Sequence, residues 1–135
     1  MTGPTHGLQV GLVPADLAAS LRFYTEGLGL TPLARLPVSR TRALHRFVIG
    51  DATLKLLEQE GVPAPVPSSA PWDAAIGIRW LTFDVDDVAA TVKCCLEAGG
   101  FLIAAPAEIR PGLWVAFVGD PDGNAVELVQ RPDAP

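Results

Sequence analysis

The chain has 135 residues, of which 49% are apolar and 19% charged, enough to close an ordinary hydrophobic core without disulfides or a structural metal. A net charge of −5 argues against a nucleic-acid surface, and Arg40, Arg42 and Arg46, the nearest approach to a basic cluster, read as a strand rim. No segment reaches the roughly 18 consecutive apolar residues of a membrane span, the N-terminus lacks the layout of a secretion leader, and the two cysteines, Cys94 and Cys95, form no disulfide framework, so the cytoplasm is the expected setting.

Leu8, Val10 and Leu12 alternate with Gln9, Gly11 and Val13, the period of a strand. Pro14 and Ala15 end it, and Asp16 is a good N-cap for a helix to about Leu28. Leu17, Leu21, Tyr24 and Leu28 make that helix's apolar face, with the Tyr24 hydroxyl expected at the core's edge. Gly29 reads as the C-cap. Strands are expected over 31–36, 43–49 and 53–58, the last two joined at Gly50-Asp51. Residues 61–74, rich in Pro, Ser and Ala, read as an extended linker whose Trp72 could latch onto the protein surface or a second copy.

The series then restarts: a strand over 78–85, the cap Asp87, a helix to about Ala98, and Gly99-Gly100 as terminator. Cys94 and Cys95 lie in this helix about 100° apart, poorly placed to share a metal. Strands over 101–104, 113–118 and 125–130 complete the series, the last two joined by the turn Asp120-Pro121-Asp122-Gly123-Asn124. The layout is two βαβββ modules, 1–60 and 75–135, separated by the linker. It is a duplication: Asp16-Leu17-Ala18-Ala19-Ser20-Leu21-Arg22 returns 71 residues on as Asp87-Val88-Ala89-Ala90-Thr91-Val92-Lys93. Leu54-Lys55-Leu56-Leu57 likewise lines up with Val126-Glu127-Leu128-Val129.

With this repeat, Asp16 to Tyr24, the Gly27-Leu28-Gly29-Leu30 run and the closing Asp120 to Leu128 stretch, the chain resembles the vicinal oxygen chelate superfamily. That superfamily includes glyoxalase I, bleomycin-resistance proteins and extradiol dioxygenases. The resemblance implies an α+β fold in which the modules form a cup-shaped sheet, paired in a two-fold dimer. It also implies a metal position at four corners, one on the first and one on the last strand of each module: Gln9, Lys55, Trp80 and Glu127. Gln9, Lys55 and Glu127 are in addition polar residues flanked by apolar ones, the pattern of side chains facing a cavity or solvent.

Two of these four corners are chemically wrong for a metal. An ammonium brings charge without a lone pair, and an indole offers no donor. Lys55 and Glu127 are pseudo-symmetry mates, so an ion pair in place of the metal is one reading; the other has Lys55 reaching for the rim with its stem packed. Trp80 reads either as core between the modules or as a platform for a flat ligand, with Trp114 and Phe47 or Phe117 as companion walls.

Three functions follow. The first is metal-free binding of a planar apolar small molecule, an antibiotic or metabolite, with no cofactor and Gln9, Lys55, Trp80, Glu127, Trp114 and Phe47 as its ligand residues. In that reading the acidic chain could receive a cationic drug. The second is a lyase or isomerase with Glu127 as general base and Lys55 as acid or electrostatic stabiliser. The third is a metal-dependent glyoxalase or dioxygenase with an incomplete ligand set, its divalent metal held at Gln9 and Glu127. The partners expected are a small molecule and a second copy in a homodimer, with no nucleic acid and no membrane.

Overall fold

The computed structural model describes residues 2–65 and 71–132, so the middle of the expected linker lies outside the described residues. Each half builds a four-stranded mixed sheet with the same plan. β1 (Gln9–Leu12), α1 (Leu17–Arg22, continuing as a wider π-helical turn over Phe23–Gly27), β2 (Leu36–Pro37), β3 (Arg42–Ile49) and β4 (Ala52–Gln59) form the first half. β5 (Trp80–Asp84), α2 (Val88–Glu97), β6 (Phe101–Arg110), β7 (Leu113–Gly119) and β8 (Ala125–Gln130) form the second. The sheet orders are β1-β4-β3-β2 and β5-β8-β7-β6, with the first and last strands of each half parallel and the remaining pairs antiparallel. The α+β duplication read from the repeat is therefore the fold.

The helix caps are the ones the sequence offers. Asp16 accepts from the Ala19 amide at 3.1 Å and Asp87 from the Ala90 amide at 3.0 Å, each satisfying one orphan donor of its first turn. Gly29 and Gly99 follow the two helices with φ of 73° and 96°, a conformation cheap only without a side chain.

The edge strands depart from expectation. The strand over 31–36 shrinks to Leu36–Pro37 and one isolated bridge between Pro32 and Phe47, because Pro32 and Pro37 have no N–H for a ladder. β6 instead runs past 104 to Arg110, through Pro106, with shifts of register along it. Its place at the sheet edge is what lets it tolerate the proline.

The halves are joined through their helix-bearing faces. Phe23 and Tyr24 share one buried cluster with Phe47, Leu54 and Leu56 of the first half and Val92, Cys95, Val118 and Leu128 of the second. Gly27 permits this: a Cβ there would lie 3.2 Å from Cys95 Cα, so the π-helical turn approaches α2 closely. Burial, then the neighbouring Cys94, pushes the Cys95 thiol up to about 12, leaving it an inert apolar filler. Among the described residues no strand of one sheet pairs with a strand of the other. The helix-free face of each sheet is turned outward rather than toward its counterpart.

A polar clasp closes the same seam. Tyr24, fully buried, donates its hydroxyl to Asp120 Oδ2 at 2.8 Å. Asp120, also buried, further accepts from the Asp122 amide (3.0 Å), the Asn124 amide (2.8 Å) and Asn124 Nδ2 (2.8 Å). Burial pushes the Asp120 carboxyl above its ordinary range, against the pull of these donors. Burial also raises the Tyr24 phenol, with Asp120 beside it adding to the effect. The Tyr24 hydroxyl thus sits deep between the halves, not at the core's edge.

Candidate functional site on the open sheet faces

Strand alternation and register decide which side chains share a face. On the first sheet Leu54 and Leu56 turn to the helix side and Lys55 to the open side. Gln9 is the register partner of Thr53, Gly11 of Lys55 and Arg46 of Lys55, which puts Gln9, Thr53, Lys55 and Arg46 together on that open face. On the second sheet Thr82 and Phe117 both partner Glu127, and Trp80 lies two residues before Thr82. Trp80, Thr82, Phe117 and Glu127 therefore share the other open face.

Three of these are linked. The Trp80 Nε1–H donates to Thr82 Oγ1 at 3.2 Å, and the Thr82 hydroxyl donates to Glu127 Oε1 at 2.8 Å. Thr82 thereby fixes the Glu127 carboxylate and the Trp80 ring at once. Trp80 remains 47% exposed, so it is not the inter-module core that one of its two readings made it. Thr82 carries no cue in the sequence beyond lying two residues from Trp80 on one strand.

Trp72 joins this face from the segment before β5. Its indole stacks on Phe117 at 4.4 Å and 15° between planes, and meets Trp80 edge-on at 5.1 Å. Arg79 Nε–H donates to the Trp72 carbonyl at 3.0 Å, which holds the segment in place. The latch is onto the chain's own sheet.

Three expectations need correction. Phe47 is the register partner of Leu54, so it faces the helix, is fully buried and cannot wall the face that carries Lys55. Trp114 is the register partner of Gln130, whose Oε1 accepts from the Val88 amide at the start of α2. Trp114 thus lies on the helix side of its sheet, away from Glu127. Lys55 and Glu127 form no ion pair within the chain, because the halves meet through their helix sides and leave the two residues on separate open faces. Among the described residues the ion pairs are Arg22–Glu26, Arg35–Glu58 and Arg131–Asp84, and His45 Nε2 lies in hydrogen-bond contact with Glu58 at 2.8 Å. Two surface clefts, one lined by residues between Pro4 and Gly7 with Asp51, the other by Arg110, Pro111, Leu113, Arg131 and Pro132, include none of the four corner residues.

Comparison with known proteins places this geometry. The family model described as the glyoxalase/bleomycin resistance protein/dioxygenase superfamily matches residues 8–128. The chain belongs to this superfamily. A relative named as a probable lactoylglutathione lyase from Vibrio cholerae is 32% identical over 125 residues, covering 88% of this chain and 86% of the relative. A solved glyoxalase-related enzyme from Fulvimarina pelagi is 26% identical with a TM-score of 0.70, covering 98% of this chain and 92% of the other. Glyoxalase I from Zea mays is 25% identical with a TM-score of 0.74, and this chain spans only 45% of its length.

The superfamily implies a divalent metal at the four corners, and the residues present do not fit one. Gln9 and Glu127 offer oxygen donors, but Lys55 offers an ammonium and Trp80 an indole whose N–H is already given to Thr82. Among the described residues no three His, Cys, Asp or Glu side chains converge to replace the lost donors. Nor is any described helix long and apolar enough to cross a membrane.

Proposed function

We propose that this chain is a small-molecule-binding member of the superfamily that works as a two-fold dimer and holds a planar ligand without a metal. The supporting observation is the residue pair at the lost corners, Lys55 and Trp80, one a fixed cation and the other an open aromatic platform. In the dimer the open face of the first sheet meets that of the partner's second sheet. Gln9 and Lys55 then confront the partner's Trp80 and the partner's Glu127. The ammonium supplies positive charge at a corner where the superfamily resemblance implies an ion, opposed to a carboxylate already oriented by Thr82. The binding energy for a flat ligand comes from the aromatic group, of order 0.5–1.5 kcal/mol per ring pair beyond the area buried.

A second reading is supported by names: the Vibrio cholerae relative is described as a probable lactoylglutathione lyase, which favours a metal-dependent enzyme using Gln9, Glu127 and water. One experiment separates the two. Purified protein is assayed for lactoylglutathione turnover with and without added Zn²⁺ or Ni²⁺, and in parallel titrated with the neutral fluorescent dye phenylnaphthylamine. The binding reading expects saturable dye binding that Trp80→Ala weakens, and no metal-dependent turnover. Turnover that appears on adding metal establishes the second reading and removes the first.

A further inference from the structure

The register that places Lys55 on the open face of the first sheet places Arg46 directly beside it, with the bare Gly11 on the other side of Lys55. Arg46 Nε is buried and has no hydrogen-bond partner among the described residues. A buried guanidinium N–H without an acceptor carries the full desolvation cost of the lost bond to water. Nearby acids do not relieve it. Glu58 lies on the opposite face of β4, held at 2.6 Å by Arg35 and at 2.8 Å by His45. Arg42, four residues before Arg46 and on the same face, adds a further positive charge.

The proposed dimer brings one strand carboxylate to this place, the partner's Glu127, against two adjacent cations. Asp84, on the same open face as Glu127, is already paired with Arg131 at 2.8 Å. Counting Arg42, Arg46 and Lys55 against that one carboxylate, two positive charges are left over, in a site whose opposite wall in the proposed dimer is aromatic. On that wall the chain's own Trp72 indole lies on Phe117 at 4.4 Å and meets Trp80 at 5.1 Å, which leaves Trp72 and Trp80 as its aromatic surface.

We propose that Arg46, seated beside Lys55, is an anion-binding subsite that takes the carboxylate, sulfonate or phosphate of a planar aromatic ligand whose ring lies against the partner's Trp80 and the partner's Trp72. Lys55 answers the partner's Glu127, and the outer N–H groups of the Arg46 guanidinium receive the ligand's oxyanion. The net acidic charge of the chain suggested a cationic ligand; the local charge on this face reverses that expectation. The inference rests on the proposed dimeric binding site and adds the ligand's charge to it.

The test compares two dyes that differ by one group, anilinonaphthalene sulfonate and its neutral parent phenylnaphthylamine, titrated against the full-length protein and its Arg46→Gln and Arg46→Lys variants. Wild type is expected to bind the sulfonate about tenfold or more tighter than the parent, the yield of one charge-assisted hydrogen bond. Arg46→Gln removes that preference while the parent's affinity stays within about twofold. Arg46→Lys keeps the charge without the fork and retains part of the preference, which also covers a Gln variant that fails to fold. Equal affinity of wild type for the two dyes overturns the inference and leaves the binding site standing. A preference that survives in Arg46→Gln overturns the inference as well. Binding of neither dye overturns both.

Discussion

Replacing Tyr24 by Phe removes one oxygen from the seam between the halves and nothing else. The buried Asp120 carboxylate keeps its three donors from Asp122 and Asn124 but loses the hydroxyl at 2.8 Å. A hydrogen bond to a charged, buried acceptor contributes about 1.5–3 kcal/mol, and leaving the acceptor short costs the same order. With an unfolding entropy of about 2.1 cal/mol/K per residue, a 135-residue chain converts that loss to a fall in Tm of roughly 5–11 °C. Urea unfolding followed by tryptophan fluorescence, with a calorimetric scan alongside, reads both numbers. The m-value should not change, since the surface buried is the same. A Tyr24→Phe protein within about 0.5 kcal/mol of wild type would refute the view that this bond clasps the halves.

Other expectations follow from the same geometry. Lys55→Glu and Glu127→Lys each weaken the proposed dimer about tenfold or more in sedimentation equilibrium, and the double reversal recovers most of the loss; single variants that dimerise as wild type exclude the cross-subunit pair. The Glu58 carboxyl, hydrogen-bonded first by Arg35 and then by His45, titrates at about 2 instead of its ordinary 4.5. Its folded value is depressed, so its contribution to stability is present above 4.5 and is lost as pH falls toward 2. Glu58→Gln should accordingly lose less stability than wild type on acidification through that window, and a Glu58 NMR titration midpoint near 4.5 would show the pairing is not formed. Trp72→Ala uncovers Phe117 and Trp80, lowering stability by about 1 kcal/mol in urea unfolding and shifting the emission of Trp80 to the red; unchanged stability would show that Trp72 is not seated on the sheet.

Much of the fold was legible because the duplication states each element twice. Asp16 and Asp87 announce both helices, and the alternation around Gln9, Lys55 and Glu127 shows which side of each strand is open. What failed was pairing across turns. The structure's hairpin through Gly50 and Asp51 pairs Ile49 with Ala52, and counting back from it puts Phe47 opposite Leu54 on the buried side. The longer turn at 120–124 gave no such count for Trp114. The Asp120 clasp was hidden for a different reason: its partner Tyr24 lies 96 residues away, and the Asp-Pro-Asp-Gly-Asn run explains itself as a turn. Arg46 was read as a strand rim because its neighbour across the sheet, Lys55, is known only from the register. That the two halves meet through their helices is tertiary information that periodicity does not carry.

The proposed function turns on an ammonium and an indole standing at two of the four corners where resemblance to the superfamily implies a divalent ion. Its most direct test is elemental analysis by mass spectrometry of protein purified without chelators, followed by calorimetric titration with Zn²⁺, Ni²⁺ and Mn²⁺. Well under one equivalent of any divalent metal per chain and no saturable heat are expected. A stoichiometric ion whose binding is abolished by Glu127→Gln would contradict it.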